Sequence, residues 1–253
     1  MVPQISIIIP AYNSANYIQK CVLSALHQNG IETEILVVDD CSTDETADIM
    51  AALSAEHSTV HFARNATNMG AGNSRNAGLN MASHVKVAFL DSDDYWESWH
   101  LSKLHTALNA DLNAIFSYGN YRFYNEKDGT YSPFSQVNVN HCFKDQLSST
   151  LIATPSVLID RSRSGPISFI ERRTGQDYHM WLTLLQKGPA IGVDTRSITV
   201  TRRNNSLSKS KLQSLHDIFE IQTQYFGIGK AKALLHTFCY FTNAVLKYWR
   251  FSK

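Results

Sequence analysis

The 253-residue chain has little that would staple or anchor it. Its four cysteines, Cys21, Cys41, Cys142 and Cys239, lie far apart with no CxxC or Cys/His pairing. That spacing excludes a zinc finger and a disulfide framework and fits a reducing compartment. The opening MVPQISIIIPAYN has no basic segment before its short apolar run, so it is expected to be neither a signal peptide nor a membrane anchor. Without secretion, the sequons at Asn65 and Asn204 carry no meaning. No GxxxxGK[ST] loop is present, and Gly70 and Gly72 begin a GxGxxG pattern whose third glycine is replaced by Arg75. Both common nucleotide fingerprints are therefore missing. GAGNSR reads instead as a helix start whose backbone N–H groups, with Arg75, face a phosphate.

What is present is a core and a charge gradient. Hydrophobic residues make up 43% of the chain, enough for a sizeable interior. The net charge of +1 conceals an asymmetry: from Thr201 onward nine Lys/Arg face only Asp217 and Glu220, giving +7 there and −6 over residues 1–200. The two parts are expected to meet different partners.

The first third alternates strand and helix signals. SIIIP (Ser6–Pro10) is a β-branched strand, and Ala15–Gln28 carries an apolar helical face through Ile18, Cys21, Val22 and Ala25. EILVVDD is a second strand. STDETADIMAALSAE follows as a helix in which Ser42 and Glu45 have capping-box spacing. VHFARN, NMGAGNSRNAGLNMA and VKVAFLDSDD supply another strand, helix and strand. This order predicts a parallel sheet covered on both faces, with ligands beyond the carboxyl ends of its strands.

Those ends carry the acids. Asp39 and Asp40 close the second strand, Asp91, Asp93 and Asp94 the fourth, and Pro10, Tyr12 and Asn13 follow the first. Five carboxylates on one rim repel one another unless a cation or hydrogen-bond donors compensate them. The competing explanation is local: Asp93 or Asp94 could cap a helix through WESWHLSKLHTAL, which accounts for one aspartate only.

SIIIPAYN, EILVVDDCSTDET, NMGAGNSRNAG and FLDSDDYW, in this order across about a hundred residues, resemble the family-2 glycosyltransferases, and the similarity continues more weakly to about Ser208. The resemblance implies the α/β GT-A fold, a Rossmann-like, mainly parallel mixed sheet flanked by helices. Residues 1–208 would form the transferase domain, with 1–100 the nucleotide-binding half and 101–208 the acceptor half, and 209–253 a basic helical tail. It also implies a UDP-sugar donor. Pro10 and Tyr12 would border the base, Asp40 would accept from the uracil N–H, and Asp91 would approach ribose and phosphates. Asp93, last in the triplet Asp91-Ser92-Asp93, would hold Mn²⁺ or Mg²⁺, hard cations suited to carboxylate and phosphate oxygens.

The family uses an aspartate as the base of inverting transfer, and TGQDYHMWLTLL places Asp177 in that position, with Gln176 where a glutamate is common. On the residues alone Asp177 reads first as a helix cap ahead of Met180, Trp181, Leu184 and Leu185, and the resemblance turns the reading to the base. Thr154 and Ser156 in IATPSVLID are candidate hydroxyl contacts to the donor. In TRRNNSLSKS, Arg203 stands where the family has a histidine, and Arg202 or Arg203 would grip the diphosphate.

In the tail, Leu234, Phe238, Phe241, Val245 and Tyr248 form one helix face, and the uncharged run from Ala233 to Leu246 is 14 residues, short of the roughly 17–25 a span requires. An interfacial helix on an anionic membrane is expected, with Lys230, Lys232, Lys247 and Arg250 toward headgroups. Packing on the catalytic domain or in a homodimer would use the same face. The expected activity is transfer from a UDP-sugar to a saccharide or lipid-diphosphate-linked saccharide in surface polysaccharide (O-antigen or capsule) synthesis, on the cytoplasmic side of the membrane. The alternative is a non-catalytic sugar-nucleotide-binding or scaffold protein. A pyrophosphorylase would need a glycine-rich basic loop where PAYNSANY stands, and the tail holds no nucleic-acid-binding module.

Overall fold

The structure, a computed structural model, describes residues 2–149, 151–202 and 211–251. The chain opens with β1 (Gln4–Ala11), α1 (Ile18–Leu26), β2 (Glu32–Asp39), α2 (Thr46–Glu56), β3 (Val60–Arg64), α3 (Ala71–Met81) and β4 (Lys86–Phe89). A short β5 (Tyr95–Trp96), α4 (His100–Ala110), β6 (Phe116–Asn125), β7 (Thr130–Tyr131), β8 (Asn140–His141) and α5 (Phe143–Gln146) follow. Then come a 3₁₀ turn (Thr154–Ser156), β9 (Val157–Asp160), α6 (Arg161–Ser164), α7 (Gln176–Leu185) and β10 (Ala190–Arg202). Beyond them lie α8 (Lys211–Glu220), a π turn (Ile221–Tyr225) and α9 (Lys230–Phe251).

The strands form one sheet in the order β3-β2-β1-β4-β9-β6-β10-β5, with β7 on β6 and β8 on β10. β3, β2, β1 and β4 are mutually parallel, as the alternation predicts. β9 runs antiparallel between β4 and β6, so the sheet is mixed. The apolar run of β1 is buried on both faces because helices cover both: Ile5, Ile7 and Ile9 meet Ile18 and Val22 of α1, while Ile8 joins Leu79 of α3.

Local boundaries shift from the sequence pattern for identifiable reasons. The expected capping box is not formed: α2 starts at Thr46 and Glu45 makes no side-chain cap. Ser42 is taken by Asp39, and Asp44 accepts from the Thr46 N–H instead. At the start of α4, His100 is fully buried under Trp96 (ring centroids 4.6 Å) with Nδ1 2.8 Å from Ser197 Oγ. Burial pulls its pKa down to about 3, so the ring is neutral and serves as a hydrogen-bonded core residue beneath β5.

The boundary expected at 208 lies outside the described residues. The described tail packs on α7: Ile218 and Ile221 share a hydrophobic cluster with Leu147, Tyr178 and Leu182.

Candidate active site

The loops leaving β1, β2 and β4 are stitched together at the carboxyl edge of the sheet. Ser14 and Ser92 hydroxyls lie 2.7 Å apart, Asn13 N–H donates to Ser42 Oγ (2.9 Å), and Thr43 N–H donates to Asn13 Oδ1 (2.9 Å). Asn13 takes φ +47, a conformation asparagine tolerates better than most residues. None of these partners is adjacent in sequence, and only the return of each strand to the same edge brings them together.

Within this frame the five aspartates separate by role. Asp39 is fully buried, accepts from the Ser42 N–H and hydroxyl, and pairs with Arg64 Nε at 3.1 Å. Asp94 is buried and accepts from the Thr201 N–H at 2.8 Å. Both are structural, so the rim does not present five carboxylates to a ligand. Asp91 and Asp93 are half-buried and remain at the edge. Neither Asp93 nor Asp94 caps α4, whose cap position is Trp99.

Asp40 is 3% exposed and anchors the turn into α3: Oδ1 accepts from Asn65 Nδ2 and Met69 N–H (2.9 Å each), and Oδ2 from Gly70 N–H (2.7 Å). A carboxylate has about four acceptor sites, and these three bonds occupy both positions on Oδ1 and one on Oδ2. Pro10 is buried in β1 and Tyr12 stands 44% exposed just beyond it, beside the same loop.

Arg75 does not stand free for a phosphate. Its Nη2 lies 2.5 Å from Asp91 Oδ1 and the guanidinium is centred 5.3 Å over the Phe169 ring. Nε is buried without a partner. The platform under it is held by a two-way amide clamp, Asn76 Nδ2 donating to Phe169 O (2.8 Å) and Phe169 N–H to Asn76 Oδ1 (2.7 Å). Asn76 lies within NMGAGNSRNAG but nothing local marks its role, and Phe169, 93 residues on, sits in no motif, so their pairing was not apparent in the sequence. Arg202 stacks on Phe123 at 3.7 Å, and Arg203 lies outside the described residues. Ser156 donates to Ala153 O, which commits its hydroxyl to the turn before β9, and Thr154 is buried in the same turn.

Asp177 is in the first turn of α7 but does not cap it. Gly175, at φ +74, occupies the cap position, and Asp177 is half-buried with Oδ1 accepting, among the described residues, from its neighbour Tyr178 N–H (2.8 Å). A carboxylate there is also favoured by the positive end of the helix dipole. The start of α3 meets the start of α7 at Gly72, where a Cβ would lie 2.4 Å from Gln176 Oε1. The amide end of the Gln176 side chain fills the space where a larger residue would stand, so the two helix starts touch at this point. This contact brings the helix carrying Arg75, and through it Asp91, beside the helix carrying Asp177.

The Cys21 thiol beneath the edge is not a nucleophile. Cys21 donates to Asp91 O (3.4 Å), and burial, with Asp94, Asp93 and Asp91 nearby, pushes its thiol well above the usual range. Hard carboxylate oxygens at the edge suit Mg²⁺ or Mn²⁺ if a diphosphate supplies the other ligands. Among the described residues, the three-ligand cluster His216, Asp217 and Glu220 is elsewhere and already holds a cation, the Arg172 guanidinium, at 3.0 and 2.9 Å from its carboxylates.

A mixed, mainly parallel sheet flanked by helices, with acids gathered at the carboxyl ends of its strands, defines an α/β protein whose ligand site is expected at that edge. Residues 6–170 match the profile of "Glycosyl transferase family 2". The chain is 33% identical over 249 residues (97% of each chain) to TuaG of Bacillus subtilis (strain 168), a protein assigned to teichuronic acid biosynthesis as a glycosyltransferase. It is 37% identical over 190 residues, 73% of this chain and 71% of the other, to WfaP of Escherichia coli, named as a UDP-Glc:alpha-D-GlcNAc-diphosphoundecaprenol beta-1,3-glucosyltransferase. Its fold matches the crystal structure of Staphylococcus aureus TarS 1–349 in complex with UDP-GlcNAc, with a TM-score of 0.74 at 20% identity over 95% of this chain and 72% of that one. The chain belongs to glycosyl transferase family 2 and has the GT-A fold; it is a glycosyltransferase.

Proposed function

We propose that this enzyme transfers a sugar, with inversion, from a UDP-sugar to a saccharide or lipid-diphosphate-linked saccharide during cell-surface polysaccharide synthesis. The observation that carries the proposal is the meeting of α3 and α7 at Gly72, which brings the helix of the uncommitted carboxylate Asp177 beside the one holding Arg75 and Asp91. The named activity of WfaP supports the donor and acceptor classes.

In this reading Tyr12 and Pro10 border the base and Asp40 receives its N–H. Asp91, oriented by Arg75, faces the ribose and phosphates, and Asp93 is the protein ligand of Mn²⁺ or Mg²⁺. The cation supplies charge neutralisation for the departing UDP. Asp177 accepts the proton of the acceptor hydroxyl as it attacks the anomeric carbon. Arg203 is retained as a diphosphate contact. Retention of Asp91, Asp93 and Asp177 together argues against a scaffold that has lost its chemistry.

Calorimetry of UDP with and without Mn²⁺ tests the donor site. Metal-dependent binding by wild type, lost in Asp93→Ala, is expected. Equal affinity in Asp93→Ala and wild type at saturating Mn²⁺ would remove Asp93 from the metal site.

We also infer that α9 lies on the cytoplasmic face of an anionic membrane. Among the described residues no helix is long and apolar enough to cross one. Leu234, Leu235 and Phe238 are each at least 60% exposed and Phe241, Val245 and Leu246 extend that face. Lys230 and Lys232 are exposed at the same helix, while the side chains of Lys247, Tyr248 and Arg250 lie outside the described residues. The full chain is expected to float with anionic liposomes, and Leu235→Glu/Phe238→Glu to remain unbound; wild type staying wholly unbound would refute the attachment.

A further inference from the structure

The C-terminal tail grips the helix of Asp177 on both sides of that residue. Upstream, Arg172 Nη2 bonds Asp217 Oδ1 (3.0 Å) and Glu220 Oε2 (2.9 Å), and Thr174 Oγ1 donates to Asp217 Oδ2 at 2.5 Å. Asp217 is itself 3% exposed. Gly175, whose positive φ sets the start of α7, sits under Ile221 and Asp217, with Ile221 Cδ1 2.8 Å from where a Cβ would be. Downstream, Gln222 Nε2 donates to the Tyr178 hydroxyl (2.8 Å), which donates to Leu147 O (2.9 Å). His179 packs edge-on to Tyr225 (centroids 4.9 Å) and against Phe226 (5.4 Å). The buried Gln222 is held from α9 by His236 Nδ1 at 3.0 Å, and Tyr240 of α9 packs edge-on to Tyr178.

We propose that α8 and the π turn are a clasp that sets the position of Asp177, with Asp217 as its central positioning residue. This rests on the reading of Asp177 as the base. The density of contacts is not explained by stability alone: the tail holds the residues immediately before and after Asp177, yet no contact described here ties it to the nucleotide-binding half. A base must lie within hydrogen-bond reach of the proton it removes, and a displacement of about 1 Å can cost on the order of 10²-fold in rate. The clasp contacts fall on residues 172–179 and none on Arg75 or Asp91, so donor binding on the α3 side is expected to change far less than transfer. The same contacts link the exposed face of α9 to the catalytic helix, so attachment of α9 and alignment of Asp177 are mechanically joined.

The test compares Asp217→Asn and the milder Thr174→Val with wild type and Asp177→Asn, all as full-length chains. UDP release is followed with water as acceptor from UDP-glucose, UDP-galactose and UDP-GlcNAc, and backbone amide exchange is followed over residues 176–180. Asp217→Asn is expected to lose at least about tenfold in kcat with donor KM and UDP affinity within about twofold, and Thr174→Val to move the same way by less. Amide exchange at the start of α7 is expected to rise in both. Unchanged exchange, or kcat and UDP affinity falling together, would overturn the clasp, the second pattern marking a general loss of structure. If Asp177→Asn is inactive while both clasp variants keep wild-type kcat, only the clasp fails; if Asp177→Asn itself turns over normally, the base reading fails.

Discussion

Asp177→Asn is expected to lower sugar transfer by about 10²–10⁴-fold, the usual contribution of a positioned general base, while leaving UDP binding in the presence of Mn²⁺ unchanged. The amide has the shape of the carboxylate but cannot take a proton. The fold should be insensitive to the change, because Gly175 and not Asp177 occupies the cap of α7. The side chain's recorded bond, from Tyr178 N–H to Oδ1, can be kept by the amide oxygen. Single-turnover transfer and calorimetry on the same preparation separate the two effects. Equal loss of UDP affinity and transfer would remove Asp177 from the role of base and make it a donor-site residue.

Arg75→Met is expected to damage both stability and donor binding. The guanidinium is nearly buried, with its side chain 7% exposed, and Asp91 is 32% exposed. Removing one partner of a fully buried pair costs about 3–5 kcal/mol; partial hydration of Asp91 brings the expected loss to about 2–3 kcal/mol. Methionine fills the space over Phe169 but leaves the Asp91 charge beside the proposed diphosphate site without its counter-charge. UDP affinity should fall about 10–100-fold, the worth of a charge-assisted hydrogen bond. Arg75→Lys should recover only part of this, since an ammonium lacks the planar fork that both stacks on Phe169 and reaches Asp91. Urea denaturation and calorimetry measure the two losses. Wild-type values in both for Arg75→Met would show that the ion pair neither holds the rim nor prepares it for UDP.

Much of the N-terminal half was legible in the sequence because its information is local. The β-branched runs of β1, β2 and β4, the helical stripes between them and the acids at the strand ends follow from period and order alone. Strand ends meeting at one edge is a property of parallel topology, so the candidate rim could be placed before any coordinates. What periodicity could not reveal was which acids the protein uses itself. Asp39 and Asp40 are neighbours of the same type, yet one is sealed against Ser42 and Arg64 while the other holds the turn into α3. The capping-box spacing at Ser42 and Glu45 misled for the same reason: a stronger acceptor, Asp39, competes for the serine.

The sequence by itself determined the class of fold, the family and the edge at which the acids gather, since these depend on residue order, strand ends and short motifs. Only the tertiary structure decided that Arg75 belongs to Asp91 and Phe169, that Gly72 of α3 lies against Gln176 of α7, and that the tail packs on the residues around the start of α7 through Asp217 and Gln222. Each of these is a contact between segments roughly 15 to 100 residues apart, for which no local pattern exists. Packing selects them, because a buried charge or amide must find whatever partner the folded chain brings within reach.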